Sequence, residues 1–311
     1  MSTEKTIIRG KTHELRSTVA GGKKIFITDG LLRTARLSDE WYDDVENPEQ
    51  VIEELQRSGV KADVFTFWQR LPDTDPRYNY QMEREGIAAL PIESVEHWEK
   101  KQLNRKARNL LRKSAKVGLV IREAAFNDEF VRGMTEIFNE SPVRQGKPFW
   151  HYGKDTETIK REFSRFLFRE DIFAAYDGDE LVGFIFLAYA GAYASLGQII
   201  SKIKHRDKAP NNALIAKAVE ICEAKGIRYL VYAEWSEGTL GDFKKQNGFE
   251  RVDLPRYYVP LTLRGSLGLR FGLHKGFVGA MPDGLRRSLL TIRNKWYGKP
   301  SVAAVSSSTE D

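Results

Sequence analysis

The sequence has one cysteine and five histidines in 311 residues, and each shortage excludes something. A single thiol, Cys222, allows no internal disulfide, which fits a reducing compartment. Cys222 falls on the apolar stripe of a helical segment and reads as packed core rather than as a nucleophile. The histidines (His13, His97, His151, His205 and His274) show no ligand spacing, so no metal site is expected. No apolar run approaches the roughly 18 residues of a membrane span. The N-terminus is polar and lacks an apolar signal core, so no leader is expected. No internal repeat is found. These absences predict a cytoplasmic protein. Acids are in short supply beside bases, 43 Asp+Glu against 49 Lys+Arg, for a net charge of +6. That balance suits nucleic acid, an anionic membrane surface or phosphate-bearing substrates. Apolar residues are plentiful at 41%. The chain can therefore bury a core, and its length predicts about two domains.

Along the chain, residues 1–93 read as a small N-terminal α/β lobe. KKIFITDG and ADVFTFWQRL are strand-like, and PEQVIEELQRSG is a short helix with Pro48 at its start and Gly59 at its end. YNYQMEREGIAALPI suggests a strand around a polar turn. Residues 94–117 predict one helix capped by Ser94, with Trp98, Leu103, Ala107, Leu110 and Leu111 on one side and a crowd of Lys and Arg on the other. That basic face is read either as solvated surface or as a dock for a polyanion such as RNA or phospholipid headgroups.

From residue 118 the pattern is regular. LVIREA is a strand, NDEFVRGMTEIFNE a helix capped at Asn127 or Asp128, and SPVRQGKPFWHYGK a long loop. DTETIKREFSRFLFRED is a second helix capped at Asp155 or Thr156. IFAAY, the turn DGDE and LVGFIFLAYA form a hairpin. GAYASLGQIIS is the next strand, followed by a basic turn, a helix over 211–225, the strand IRYLVYAEW, a short helix LGDFKKQNGF and a final strand ERVDLPRYYVPLT. Residues 263–311 form a basic, Gly-rich tail. In it, 285–297 predicts an amphipathic helix suited either to an anionic membrane or to packing back on the domain, and SVAAVSSSTED a disordered end.

The turn KHRDKAPNN joins a strand to a helix N-terminus, where free amides and the helix dipole suit an anion. The order β-α-loop-α-β-β-β-turn-α-β-α-β over 118–262 resembles the GNAT acyltransferase fold. It also resembles the Fem-type aminoacyl transferases in RKARNLLRKSAKVGLVI, in APNNALIAKAVEICEAKGIRYLVYAEW and in the "fK…GF" pattern of LGDFKKQNGFERVDLPRYYVPL. The resemblance implies a GNAT-like mixed central sheet flanked by helices over 94–262, with the basic helix 94–117 leading into it. It implies an acyltransferase moving an acyl group from acetyl-CoA or another acyl-CoA to an amine. The turn departs from the GNAT pattern R/Q-x-x-G-x-G/A. Arg206 is retained, but Ala209 and Asn211 replace glycines and Pro210 removes an amide donor. The Fem-type group uses aminoacyl-tRNA and lacks a regular coenzyme A turn. An aminoacyl transferase acting on a cell-envelope precursor, with tRNA held by 94–117 and a peripheral seat on the inner membrane face, therefore stands as the alternative. A non-catalytic module binding membrane or nucleic acid is a third reading.

By the same resemblance, GAYASLGQIIS and IRYLVYAEW are the two parallel strands that splay at the acyl site. Gln198 and Ser201 lie on the first, and Glu234, at the carboxyl end of the second, is the expected general base. His205, Arg206, Lys208, Asn211 and Asn212 are expected at the cofactor phosphates, and Lys244 either there or simply exposed. The loop carrying Arg144, Gln145, Trp150, His151 and Tyr152 is the expected acceptor site, with His151 as a titratable group. A glycan-precursor or small-molecule amine would bind there. Either Tyr257 or Tyr258 could supply an acid, since alternate residues of a strand face opposite ways; Tyr258 is taken forward.

Overall fold

Residues 181–188 of strand β11 (Glu180–Ala190) are buried without a break, so this strand is covered on both faces. Phe184 and Phe186 turn to one side, where they meet Phe130, Met134 and Phe138 of helix α4 (Asp128–Asn139) and Ile159 of α5 (Thr156–Phe163). Ile185 and Leu187 turn to the other, against Leu214, Ala218 and Cys222 of α6 (Pro210–Ala224) and Ala107 of α3 (Arg105–Lys116). Burial pushes the Cys222 thiol up to about 12, so it is an inert core group. The computed structural model describes residues 2–8, 11–164, 167 and 170–275. The amphipathic segment expected at 285–297 and the terminal stretch lie outside the described residues.

The remaining strands are β1 (Ser2–Ile8), β2 (Lys11–Ala20), β3 (Lys23–Thr28), β4 (Thr34–Leu37), β5 (Val64–Trp68), β6 (Gln81–Pro91), β7 (Val120–Glu123), β10 (Glu170–Asp177), β12 (Tyr193–Ser201), β13 (Tyr229–Glu234) and β14 (Glu250–Pro260). With β11 they form one mixed twelve-stranded sheet in the order β1-β2-β3-β4-β5-β14-β6-β13-β12-β11-β10-β7. Pairing is antiparallel except between β4 and β5 and between β12 and β13. Helix α1 (Pro48–Arg57) covers the first strands through Val51 and Leu55, in a core with Ile25, Phe65, Phe67 and Tyr257. The Asn47, Asn127 and Asp155 side chains cap α1, α4 and α5 by accepting amide hydrogen bonds.

Three expectations are corrected here. The basic segment 94–117 is not one helix. A three-residue turn α2 (Val95–His97), capped by Ser94, runs into a π-helical turn over Trp98–Gln102, and Leu103 is extended. Asn104 then starts α3 afresh by accepting from the Ala107 amide at 2.8 Å. Both Trp98 and Leu103 are buried, and Trp98 Nε1 donates to Asn247 O at 2.9 Å. Bringing both side chains to one core needs the register shift, and Arg108 caps the freed carbonyls of Glu99, Lys100 and Leu103. Second, Gln81–Pro91 is one unbroken strand with no turn, because β14 and β13 pair it on both edges. Its acids are matched across the sheet, Glu85 by Trp68 and Arg256, and Glu83 by His274 and Lys275. Third, Glu170 and Asp171 belong to β10 rather than to the preceding helix, since they pair with Ala188 and Leu187.

Candidate functional site: a cationic cleft between diverging strands

Strands β12 and β13 pair in parallel only through Tyr193↔Tyr229, Ala194↔Leu230 and Ser195↔Val231. Beyond that point they separate. On one side, the β11–β12 register shifts between Phe186 and Leu187, which leaves Gly197 as an extra residue and bends β12. On the other, β13 is bulged between Val231 and Glu234, with Ala233 at φ 50°. From Leu196 onward the edge of β12 that faced β13 has lost its strand partner. A cleft of about 330 Å³ opens there.

Three elements close it. The first is the stretch 198–201 of β12, with Tyr232 of β13 opposite. The second is Thr239, Leu240 and Phe243 of α7 (Gly238–Gln246). The third is the long loop expected to hold the acceptor, part of which folds as a two-stranded hairpin of β8 (Val143–Arg144) and β9 (Lys147–Pro148). Its turn is Gln145-Gly146, both at positive φ, as a two-residue hairpin requires. This hairpin brings Arg144, Gln145, Lys147, Phe149 and Trp150 to the cleft.

Charge in the cleft has one sign. Arg206 lines it and has no acidic partner among the described residues. The Arg144 guanidinium, also in the lining, donates to Ser201 O at 2.9 Å, Ile137 O at 2.6 Å and Glu140 Oε2 at 3.2 Å. Burial lowers its pKa, Glu140 opposes that shift, and the nearby Arg206 charge adds to it. Two polar atoms at the cleft, Arg144 Nε and Asn211 Oδ1, are buried without a hydrogen-bond partner. Trp150 is 51% exposed at the rim, with the Lys154 ammonium 4.1 Å from its ring centroid. The lining contains no carboxylate and no imidazole.

Of the residues singled out from the sequence, Arg144, Gln145, Trp150, Gln198, Ser201, Arg206 and Asn211 converge on this cleft. The others stand elsewhere. Glu234 is exposed at the end of β13, outside the lining, and its carbonyl accepts from Lys244 Nζ at 2.6 Å. Tyr152 is 47% exposed, also outside the lining. His151 is buried among Phe138, Phe149, Trp150 and Phe163, stacked on Phe138 at 4.3 Å with neither ring nitrogen hydrogen-bonded. Burial, with help from Lys154, pulls its pKa down to about 3, so it is a neutral core ring. Tyr258 of β14 packs against His274, beside Leu32, Val64 and Leu269. Tyr257 gives its hydroxyl to Gln69 at 2.7 Å inside the first core.

His205 lies between Asp177 and Glu180, and Lys208 pairs with Asp177, so both tie the turn to the β10–β11 hairpin rather than facing the cleft. Asn212 is buried and donates to Asn247 Oδ1 at 3.0 Å, which fastens α6 to α7. Lys244 is not exposed. It is buried with its ammonium 4.7 Å from the Tyr232 ring centroid, and burial pulls its pKa down to about 8 against the opposing pull of Glu234.

Sequence reasoning missed Tyr232, Phe243 and, above all, Glu140. The Glu140 carboxylate accepts from the Ile203 amide and, at 2.9 Å, from the Lys204 amide. It thus fills the anion-seeking amides at the start of the basic turn. Only Arg144, near it in sequence, and the basic turn could have signalled this. Ala209 takes the left-handed conformation at φ 57° that glycine would adopt freely, and α6 starts on Pro210 without a side-chain cap.

No family model matches the chain, and no curated protein does. Solved structures do. FemX superposes with a TM-score of 0.57 at 12% identity, over 82% of this chain and 90% of that one. The C-terminal domain of a putative lysylphosphatidylglycerol synthetase from Agrobacterium fabrum gives 0.53 at 12% identity, over 82% and 87%. L-PGS from Bacillus licheniformis gives 0.51 at 13% identity, over 82% and 88%. At these identities the likeness is one of fold. The chain shares the fold of these proteins, a large mixed sheet flanked by helices.

Proposed function

We propose that the protein is an acyltransferase whose donor is an aminoacyl ester of a nucleotide, as in aminoacyl-tRNA, and whose acceptor is an amine. The observation that carries this reading is the cleft between diverging β12 and β13, lined by amides, cations and an exposed indole. Attack of a neutral amine on the ester carbonyl forms the new C–N bond and places negative charge on the carbonyl oxygen. The C–O bond then breaks, and the amine proton passes to the departing ribose oxygen. Gln198 and the unpaired edge of β12 are positioned to stabilise that oxyanion. Tyr232, kept protonated by burial, is the phenolic hydroxyl donor in the lining, beside the hydroxyls of Ser201 and Thr239. Arg206 and Lys147 suit phosphodiester oxygens, and Trp150 offers a face on which a base can stack.

An ester donor is favoured over coenzyme A because Ala209 and Asn211 stand where the coenzyme A turn has glycines, and α6 opens on Pro210, which offers no amide to a pyrophosphate. The structural neighbours above a TM-score of 0.5 include FemX and a domain of a putative lysylphosphatidylglycerol synthetase. Helix α3 adds a polyanion surface: Arg105, Lys106, Arg112, Lys113 and Lys116 have no acidic partner among the described residues. Acyl-CoA remains the second reading, since Arg206 stands at the same helix start.

Filter binding with bulk aminoacyl-tRNA and thermal shift with acetyl-CoA separate the two. Retention of aminoacyl-tRNA that weakens at least about tenfold in Arg206→Ala and Trp150→Ala is expected, the equivalent of about 1.4 kcal/mol. Glu234→Gln should stay within about threefold, being outside the lining. A melting point raised by acetyl-CoA without tRNA retention would reverse the choice of donor.

A further inference from the structure

Helix α8 (Leu263–Arg270) packs through its own Leu269 against Leu32 and Val64. Its inward face is fixed by two glycines. A Cβ at Gly265 would overlap the carbonyl oxygen of Asp63, and one at Gly268 would come 2.5 Å from Leu32 Cδ2. The Thr262 hydroxyl caps the helix, accepting from Gly265 N at 3.0 Å and donating to Asp63 Oδ1 at 3.2 Å. The helix therefore has no freedom to roll its outer face inward.

That outer face is apolar. Leu263, Leu267 and Phe271 recur every fourth residue and are 86%, 57% and 68% exposed. They are among the most exposed large apolar side chains of the described residues, and Leu31, 42% exposed, adjoins them where Arg264 donates to its carbonyl at 2.9 Å. The rim is basic: Arg264 and Arg270 are exposed, and the helix carries no acid.

We propose that this face seats on an anionic phospholipid surface, with Leu263, Leu267 and Phe271 entering the headgroup–acyl boundary and Arg264 and Arg270 meeting lipid phosphates. An apolar stripe edged by cations on a surface helix has the chemistry of interfacial binding. No helix among the described residues is long and apolar enough to cross a membrane, so the contact is one of surface seating. Charge selects lipid over the chain's own downstream segment as the occupant. Residues 276–311 carry five cations, Arg286, Arg287, Arg293, Lys295 and Lys299, against three acids, Asp283 and the terminal Glu310 and Asp311. That segment repels the rim of α8 and is itself drawn to the same anionic surface.

Co-sedimentation of the full chain with vesicles tests this. Phosphatidylglycerol vesicles should bind at least tenfold more strongly than phosphatidylcholine vesicles. The triple variant Leu263→Ser/Leu267→Ser/Phe271→Ser should lose at least tenfold of that binding with an unchanged melting point. Leu267→Cys provides a second arm, because Cys222 is fully buried and the new thiol alone takes an environment-sensitive fluorophore. Its emission should shift to the blue on phosphatidylglycerol vesicles. Wild-type binding that the triple variant retains, no blue shift, or a melting point lowered in the triple variant (the mark of a face covered by the protein itself) would each overturn the proposal.

Discussion

Taking the protein from pH 7 to pH 4 will cost about 3 kcal/mol of stability through one side chain, and His151→Phe will remove that loss. The unfolded chain protonates His151 near its ordinary value of 6.5, whereas burial holds the native imidazole down to about 3. Between those values the unfolded state binds the extra proton. Stability therefore falls as pH falls through 6.5, by about 2 kcal/mol at pH 5, and the loss levels off below about 3. The groups facing the ring offer no relief. Lys154 opposes protonation, and the Glu162 carboxylate, 3.9 Å from Nδ1, is committed to Lys154 at 2.6 Å. Carboxylates held low by cation partners, Asp63 and Glu180 at about 2, lose their contributions only below their unfolded values near 4, so pH 5 reads the imidazole nearly alone, and at pH 4 the difference between the two proteins isolates it. Phenylalanine fits the stack on Phe138 and removes two unpartnered nitrogens, so the variant should also gain stability at neutral pH. Urea denaturation of both proteins at pH 7, 5 and 4 reads the effect. Parallel slopes in the two would show that the buried ring is not the titrating group.

Arg144→Ala will lower stability by about 3 kcal/mol or more, because breaking a buried pair strands its partner. The guanidinium joins the last turn of α4, through Ile137 O, to the end of β12, through Ser201 O, and neutralises Glu140. Removing it leaves two carbonyls and a carboxylate underpaired beside the cleft. Lysine will not rescue it, since one ammonium cannot span acceptors arranged for a planar fork. Thermal melts should place Arg144→Ala and Arg144→Lys both roughly 5–10 °C below the parent. A lysine variant melting with the parent would mean that the three-way tie contributes little.

Much of this was legible in the sequence where a one-dimensional pattern carries the physics. The caps at Ser94, Asn127 and Asp155, the Asp-Gly turn of the β10–β11 hairpin and the strand–turn–helix from β12 to α6 follow from local preferences. So did seven of the cleft residues, because the hairpin loop and the basic turn are recognisable by composition. The misses are long-range. His151 looked titratable and reachable until four aromatic rings from three segments enclosed it. His205 and Lys208 looked free until Asp177 and Glu180, some 25 to 31 residues earlier, met them. Glu140 sits 63 residues before the amide it caps, and no periodicity encodes that distance. The break at Asn104 was hidden because the apolar spacing around it is helical on both sides, and only the shared burial of Trp98 and Leu103 imposes it.

The insertion of β14 between β5 and β6 bears on how the chain is made. Those two strands lie close in sequence, yet each uses one edge of Glu250–Pro260. While a ribosome is still synthesising the stretch before residue 250, the early strands emerge with both of these edges open. Open edges invite pairing with other chains. Nascent chains stalled before that point should therefore be the species that chaperones hold, and release should coincide with the arrival of the last strand.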